Sequence, residues 1–181
     1  MVLAETYLPR YTYEDYANWE GDWELIEGVP YAMVPSPLKR HQFVSMLIAK
    51  MVYEQIADCP YNCQVFQDVD WIVNNSTVVR PDLLVVCEDE AEDYVRKTPE
   101  VVFEIVSPTS ATKDENLKFL LYQQEGVKYY VLVYPEGRKI KVYKLMEGRF
   151  IKVFDDTKGS FRLEVSCPFE VKLDELWKRM E

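Results

Sequence analysis

The chain has 181 residues, 48% hydrophobic and 29% charged, with a formal net charge of −10 at pH 7. That mixture excludes a disordered polypeptide and predicts one domain, residues 1–181, with its own core. The acidic balance is the reverse of a typical nucleic-acid binder, Lys50 interrupts the best apolar run ("FVSMLIAKMV"), and "MVLAETYLPRYTYEDY" has no leader pattern, so the expected location is the cytoplasm, with no membrane contact.

In chain order, "YTYEDYANWE" (11–20) predicts a short helix capped by Thr12, with Asp15 three residues on. "WELIEGVPYAMV" (23–34) predicts two strands about a turn at Gly28-Val29-Pro30. "SPLKRHQFVSMLIAKMVYEQIA" (36–57) is the strongest helical pattern, because Phe43, Leu47 and Met51, with Val44, Ile48 and Val52, recur at i+4. Strands follow over 63–67, 69–73, 79–87 and 100–106, with the acidic "CEDEAEDYVRKTPE" (87–100) between the last two as a loop or partial helix. "SPTSATKDENLKFLLYQQEG" (107–126) predicts a helix with a Thr112–Glu115 capping box and Gly126 as its left-handed stop. "KYYVLVYP" and "RKIKVYKL" then alternate as strands around Glu136-Gly137, followed by "RFIKVF", "FRLEVS" and a short helix in "LDELWKRM". The expected fold is α/β (α+β), a central mixed β-sheet flanked by helices.

Several chemistries are absent from the sequence. The six glycines are single and scattered, so no phosphate-cradling glycine loop exists, and no G-x-S-x-G elbow accompanies the one histidine, His41. Cys59, Cys63, Cys87 and Cys167 predict no disulfide framework in a chain of this size. The C-x-x-x-C pair at 59 and 63 lacks a second pair and His41 lies elsewhere, so free thiols around a strand start are the expectation.

Carboxylates remain as the chemical resource. "RPDLLVV" (80–86) and "VVFEIVSPTS" (101–110) are apolar, strand-like runs, and each contains one acid, Asp82 and Glu104. Burying such a charge costs several kcal/mol unless something neutralises it. On neighbouring strands both acids can project from one side, where their repulsion raises a pKa or recruits a cation. Oxygen donors of this kind suit Mg²⁺ or Mn²⁺. The same spacing also fits two strand-end acids facing water. Pro81 restricts Arg80 to extended backbone and removes a ladder donor, which fits a strand end or edge.

In combination, "WELIEG", "PSPLKRHQFVSMLIAKM", "RPDLLVV", "VVFEIVSP" and "LKFLLYQQEGVKYYVLV" resemble the Uma2 family, of the PD-(D/E)xK restriction-endonuclease-like superfamily, from about residue 11 to 145. The resemblance implies a metal-dependent endonuclease acting on DNA. It implies a metal pair of Asp82 and Glu104, with the Ile105 carbonyl as a further ligand. The superfamily lysine stands two residues after the second acid; here that position is Val106, and Lys118 on the following helix matches the family's substitute. Glu24 matches the family's early acid and would complete the metal shell, with Glu27 as second choice, while His41 would touch phosphate or buttress an acid. Where the family pattern ends its strand in aspartate, this chain has Tyr134. A homodimer would let paired sites cut both strands. Two other readings keep the fold: an inactive binding or regulatory module that meets a protein partner, and a phosphoesterase with a small substrate. Convergence of Asp82, Glu104 and Lys118 on one point separates catalysis from a binding module.

Overall fold

The computed structural model describes residues 8–33 and 37–180. In chain order the elements are α1 (Tyr13–Tyr16), β1 (Trp23–Ile26), β2 (Val29–Ala32), α2 (Lys39–Ile56), β3 (Cys63–Gln67), β4 (Trp71–Asn74) and β5 (Thr77–Val79). They continue with β6 (Leu83–Cys87), β7 (Val101–Ile105), a π-helical stretch (Lys113–Lys118) running into α3 (Phe119–Gln124), and β8 (Tyr129–Tyr134). The chain closes with β9 (Lys139–Met146), β10 (Arg149–Asp156), β11 (Ser160–Leu163), β12 (Phe169–Lys172) and α4 (Leu173–Lys178). Residues 34 and 36, at the expected end of a strand and start of a helix, lie outside the described residues.

The central sheet has six strands in the order β10-β9-β8-β7-β6-β3, and β7–β8 is its parallel pair. A parallel pair needs a crossover, which the π-helical stretch and α3 supply. The architecture is the expected α+β arrangement, a mixed sheet flanked by helices. A second, antiparallel sheet, β2-β1-β5-β4, stands beside it, and β11–β12 forms a two-stranded ribbon. Pro30 sits in β2, an edge strand, where its missing N–H breaks no ladder.

Side chains alternate across β6 and β7, and both faces are covered. Leu83, Val85, Val101, Phe103 and Ile105 pack with Val44, Ile48 and Val52 of α2 and with Leu176 and Trp177 of α4. Leu84, Val86 and Val102 pack on the other side with Trp71, Leu121, Tyr122 and Tyr130. Strands buried on both faces read as continuous apolar runs, which explains "DLLVV" and "VVFEIV". Each fully buried aliphatic or aromatic side chain contributes about 1.5–3 kcal/mol. A core of this size can therefore carry a few buried charges.

The structure corrects several expectations. The run 79–87 is not one strand: the chain leaves the four-stranded sheet after Val79 and enters the six-stranded sheet at Leu83, and Arg80-Pro81-Asp82 makes the passage. A hairpin precedes it, since Asn74 Oδ1 accepts from Ser76 N at 2.8 Å and returns β4 into β5. The β1–β2 turn is Glu27-Gly28, both at positive φ (50° and 77°), and Val29 and Pro30 already belong to β2. A Cβ at Gly28 would sit 3.2 Å from the Tyr11 carbonyl oxygen. Thr112 caps nothing; it is already helical (φ −62°, ψ −40°), and the turn begins at Ser107, whose carbonyl accepts from Ala111 N at 3.0 Å. Gly126 does close the helix with φ +80°. Phe43 is exposed, and Ser45 takes a buried place on α2, accepting from Gln67 Nε2 at 2.7 Å. The sequence did not predict β12; its four residues, Phe169-Glu170-Val171-Lys172, do alternate, but the run is short and its strand is completed by pairing with β11. The cysteines are not free thiols: disulfides join Cys59 to Cys167 and Cys63 to Cys87. Register made the second pair, because Cys63 and Cys87 are directly opposed on β3 and β6.

Candidate active site

Antiparallel pairing aligns Leu83 with Phe103, and the next step of that register brings Asp82 opposite Glu104. Both acids fall on the face shared with Leu84 and Val102, so they meet at the end of the β6–β7 ladder. Asp82 N donates to Glu104 Oε2 at 3.5 Å. Ile105 N donates to Asp82 Oδ2 at 2.6 Å, and His41 Nε2, from the first turn of α2, lies 3.1 Å from the same oxygen. A cleft of about 450 Å³ opens over this point, lined in part by His41, Arg80, Asp82, Glu104, Asp114 and Lys118. Glu104 is buried, while the Asp82 side chain is 18% exposed toward the cleft.

Glu104 takes a core position, and its partners explain how. Lys118 Nζ lies 2.8 Å from Glu104 Oε1, and the Tyr122 hydroxyl donates to that oxygen at 2.8 Å. The same Lys118 ammonium is 2.8 Å from Glu24 Oε1, whose carboxylate also meets Lys113 Nζ at 2.6 Å and accepts from Arg80 N at 2.9 Å. Glu24 belongs to β1, so this buried lysine ties the four-stranded sheet to the six-stranded one. The π-helical winding matters here. In an α-helix the neighbours on one face are three and four apart, whereas the wider turn lets residues five apart, Lys113 and Lys118, reach one carboxylate.

The electrostatics follow from that wiring. Burial would raise the Glu24 carboxyl, but Lys118 and Lys113 overcome it and hold it down at about 2. Burial would likewise strip Lys118 of its proton, yet Glu104, Glu24 and Asp114 hold its pKa well above the ordinary lysine range. Glu104 goes the other way. Burial pushes its carboxyl well up, and repulsion from Asp114, Asp82 and Glu24 adds to what Lys118 cannot offset. Burial also raises Asp114 and Asp68, with the Asp82 charge adding to both. For His41 burial acts downward, but the hydrogen bond and charge of Asp82, with Asp68 and Asp114 behind it, raise the imidazole. Carboxylates in excess of nearby cations line this wall, an arrangement that favours a divalent ion of oxygen preference.

Asp82, Glu104, Lys118, Glu24 and His41 thus form one connected network. Glu24 stands behind Lys118, with both of its oxygens engaged by lysines. Glu27 lies outside the network, in the β1–β2 turn, where its N–H donates to Thr77 Oγ1 at 3.1 Å. Val106 is packed in the apolar cluster on the Trp71 side of the sheet. Asp114 and Lys113 were missed as site residues, and Tyr122, which reads in sequence as core or site wall, is buried and bonds Glu104. The i, i+4 spacing of Asp114, Lys118 and Tyr122 was the available signal, and for Lys113 the sequence offered none. Arg80 was also missed; its Nε lies 2.7 Å from Asp70 Oδ1 and its Nη1 2.6 Å from Asp22 Oδ1, with Tyr16 donating to Asp70 Oδ2 at 2.8 Å. Its guanidinium is pinned between two acids, Asp70 and Asp22, at the cleft edge.

Comparison with known proteins agrees with this architecture. No curated protein matches the chain. Among solved structures, the crystal structure of a "putative nuclease belonging to DUF820" from Anabaena variabilis ATCC 29413 superposes with a TM-score of 0.77 at 15% identity, covering 94% of this chain and 99% of that one. At that identity the likeness shows a shared fold. The Uma2 family model, described as "Putative restriction endonuclease", matches residues 10–173, a span that contains every side chain of the network, and the chain belongs to the Uma2 family.

Proposed function

We propose that this chain is a metal-dependent endonuclease that hydrolyses phosphodiester bonds in DNA, acting as a single nuclease-like domain. One observation carries the proposal: Asp82 and Glu104 lie side by side at the floor of an open cleft, with the Lys118 ammonium 2.8 Å from Glu104. The donor set fits Mg²⁺ or Mn²⁺, since it is all oxygen and its Glu104 carboxyl is pushed up by burial first and by the neighbouring acids second. Asp82, Glu104 and the Ile105 carbonyl would hold the ion. When bound, such an ion supplies charge that polarises a phosphodiester oxygen and acidifies a water for in-line attack at phosphorus.

The chain's own residues prepare that chemistry. The Ile105 N–H and His41 fix one oxygen of Asp82, and Lys118 and Tyr122 fix one oxygen of Glu104, so neither acid has to reorganise during reaction. Lys118 stays protonated and stabilises negative charge that develops on the phosphate. His41, Lys39 and Arg40 share the first turn of α2, and the two basic residues are exposed beside the cleft, where a DNA backbone can approach. The acidic run Glu88–Asp93 follows the far end of β6 from Asp82. Arg96 bonds Asp93 within it at 2.9 Å, and Lys97 lies 3.5 Å from Glu88. The net charge is therefore less of an obstacle at the cleft than over the whole surface.

The test is calorimetric Mn²⁺ and Mg²⁺ binding by the wild type, Asp82→Ala and Glu104→Ala, followed by plasmid cleavage at low salt. Binding and cleavage that vanish with either acid are expected. A wild type that binds neither ion, even with DNA present, would sink the nuclease reading and leave the network as the framework of a binding module.

A further inference from the structure

The four cysteines come from four places in the fold and meet at one. Cys59 follows α2, where a tight turn closes with Asn62 N donating to the Cys59 carbonyl at 3.3 Å and Asn62 at φ +46°; that turn returns Cys63 beside Cys59. Cys63 opens β3 and faces Cys87, the last residue of β6, across the ladder with Cα atoms 3.9 Å apart. Cys167 arrives from the connection between β11 and β12. Cys63, Cys87 and Cys167 are buried and Cys59 packs against the same core. The pairing is two disulfides, Cys59–Cys167 and Cys63–Cys87, but the two pairs are not separate: the sulfurs of Cys59, Cys63 and Cys167 lie within 4.8 Å of one another.

We propose that these cysteines are a four-thiolate zinc site in the reduced chain, and that the two disulfides are its oxidised form. Tetrahedral zinc with Zn–S bonds of about 2.3 Å separates its sulfurs by about 3.8 Å, close to the spacing of the three clustered sulfurs, and Cys87, opposed to Cys63 on the ladder, supplies the fourth by rotating its side chain once its disulfide is reduced. The backbone keeps the ligands together after reduction. β3–β6 pairing holds Cys63 against Cys87, and the turn after α2 holds Cys59 beside Cys63. Thiolates select zinc over magnesium or manganese, which prefer oxygen. The balance is simple. Each disulfide takes two electrons and two protons from one molecule of a dithiol reductant, which leaves as its own disulfide; Zn²⁺ then displaces the thiol protons to solvent. The site lies at the end of β6 opposite Asp82, about 16 Å of strand away at 3.3 Å per residue, so it acts on the sheet and not on the reacting phosphate. It joins the end of α2, the β3–β6 edge and the β11–β12 ribbon.

The experiment reduces the wild-type chain anaerobically, removes the reductant and titrates Co²⁺, then Zn²⁺. Expected are the thiolate-to-cobalt charge-transfer absorption and tetrahedral ligand-field bands, saturating at one equivalent and bleached by one equivalent of Zn²⁺, together with a higher Tm on zinc addition. The signal should be lost in the oxidised chain and in Cys63→Ser, and kept in the Asp82→Ala/Glu104→Ala double variant, which separates this site from the carboxylates. If Cys63→Ser fails to fold, Cys59→Ser, at a partly exposed position, serves in its place. A reduced chain that titrates four free thiols yet gives no charge-transfer band would overturn the proposal, as would a band that survives loss of any of these cysteines.

Discussion

The two ends of β6 are built from the same sheet and do opposite things with polar atoms. At the Asp82 end the strand opens on a cleft, and Glu104 is pushed well up by burial and by the repulsion of Asp114, Asp82 and Glu24. At the Cys87 end two disulfides stand against the core, with the sulfurs of Cys59, Cys63 and Cys167 within 4.8 Å of one another. Hard ligands at an open mouth suit an ion that must meet a substrate; soft ligands in a sealed corner suit a staple. Apolar packing between the ends supports both, because Leu84, Val85 and Val86 are buried on the two faces of the strand.

The comparison is broken most severely at the open end. Glu104→Ala should lower DNA cleavage by about 10³-fold or more, several kcal/mol of lost transition-state stabilisation, read as plasmid nicking rates. The same variant should keep its folded near-UV spectrum. Lys118→Met should be the worst for the fold: it leaves Glu104 and Glu24 buried without their shared cation and should lower denaturation free energy by about 3–5 kcal/mol. A loss under about 1 kcal/mol would mean that the network is more solvated than its burial implies.

Acid sharpens the contrast between Glu24 and Glu104. The Glu24 carboxyl is depressed in the folded chain, so its contribution is fully present above its unfolded value and is lost as pH falls toward about 2. Urea midpoints between about pH 5 and pH 2 should therefore drop for the wild type, by a Glu24 share on the order of 3 kcal/mol. Glu24→Gln should be less stable at neutral pH and show a flatter acid limb; an equally steep limb would assign the acid loss elsewhere. Tyr122→Phe removes one hydrogen bond to Glu104 and should cost about 1.5–3 kcal/mol in urea unfolding. The smallest effect belongs to the cleft rim. Lys39→Ala with Arg40→Ala should weaken DNA binding about equally for all sequences and reduce the slope of log affinity against log salt by about 2 units at most.

Much of the molecule was legible in the chain. Period-2 and period-3.6 apolar patterns marked most strands and the long α2, since those periods follow from which face is buried. Asp82 and Glu104 stood out because a charge inside a doubly buried strand contradicts its surroundings, whereas the passage between two sheets at Arg80-Pro81-Asp82 reads in sequence as part of one strand, with Pro81 only hinting at a strand end. The N-terminal capping box of Thr12 and Asp15 was equally plain, being local. Thr112 and Glu115 carried the same pattern and formed no cap, because Ser107 and Ser110 started the turn earlier.

Contacts between distant segments were decided by tertiary structure. Lys118 reads in sequence as a solvated helix lysine; it is buried because β1 carries Glu24 to one side of it and β7 carries Glu104 to the other. The cysteines read as free thiols because their spacing says nothing about partners; strand register set Cys63 against Cys87, and the β11–β12 connection brought Cys167 to Cys59. The physical reason is the same in both cases. Periodicity is a property of one segment against its own core, whereas neutralising a buried charge or assembling a ligand set depends on which segments the sheet order makes neighbours.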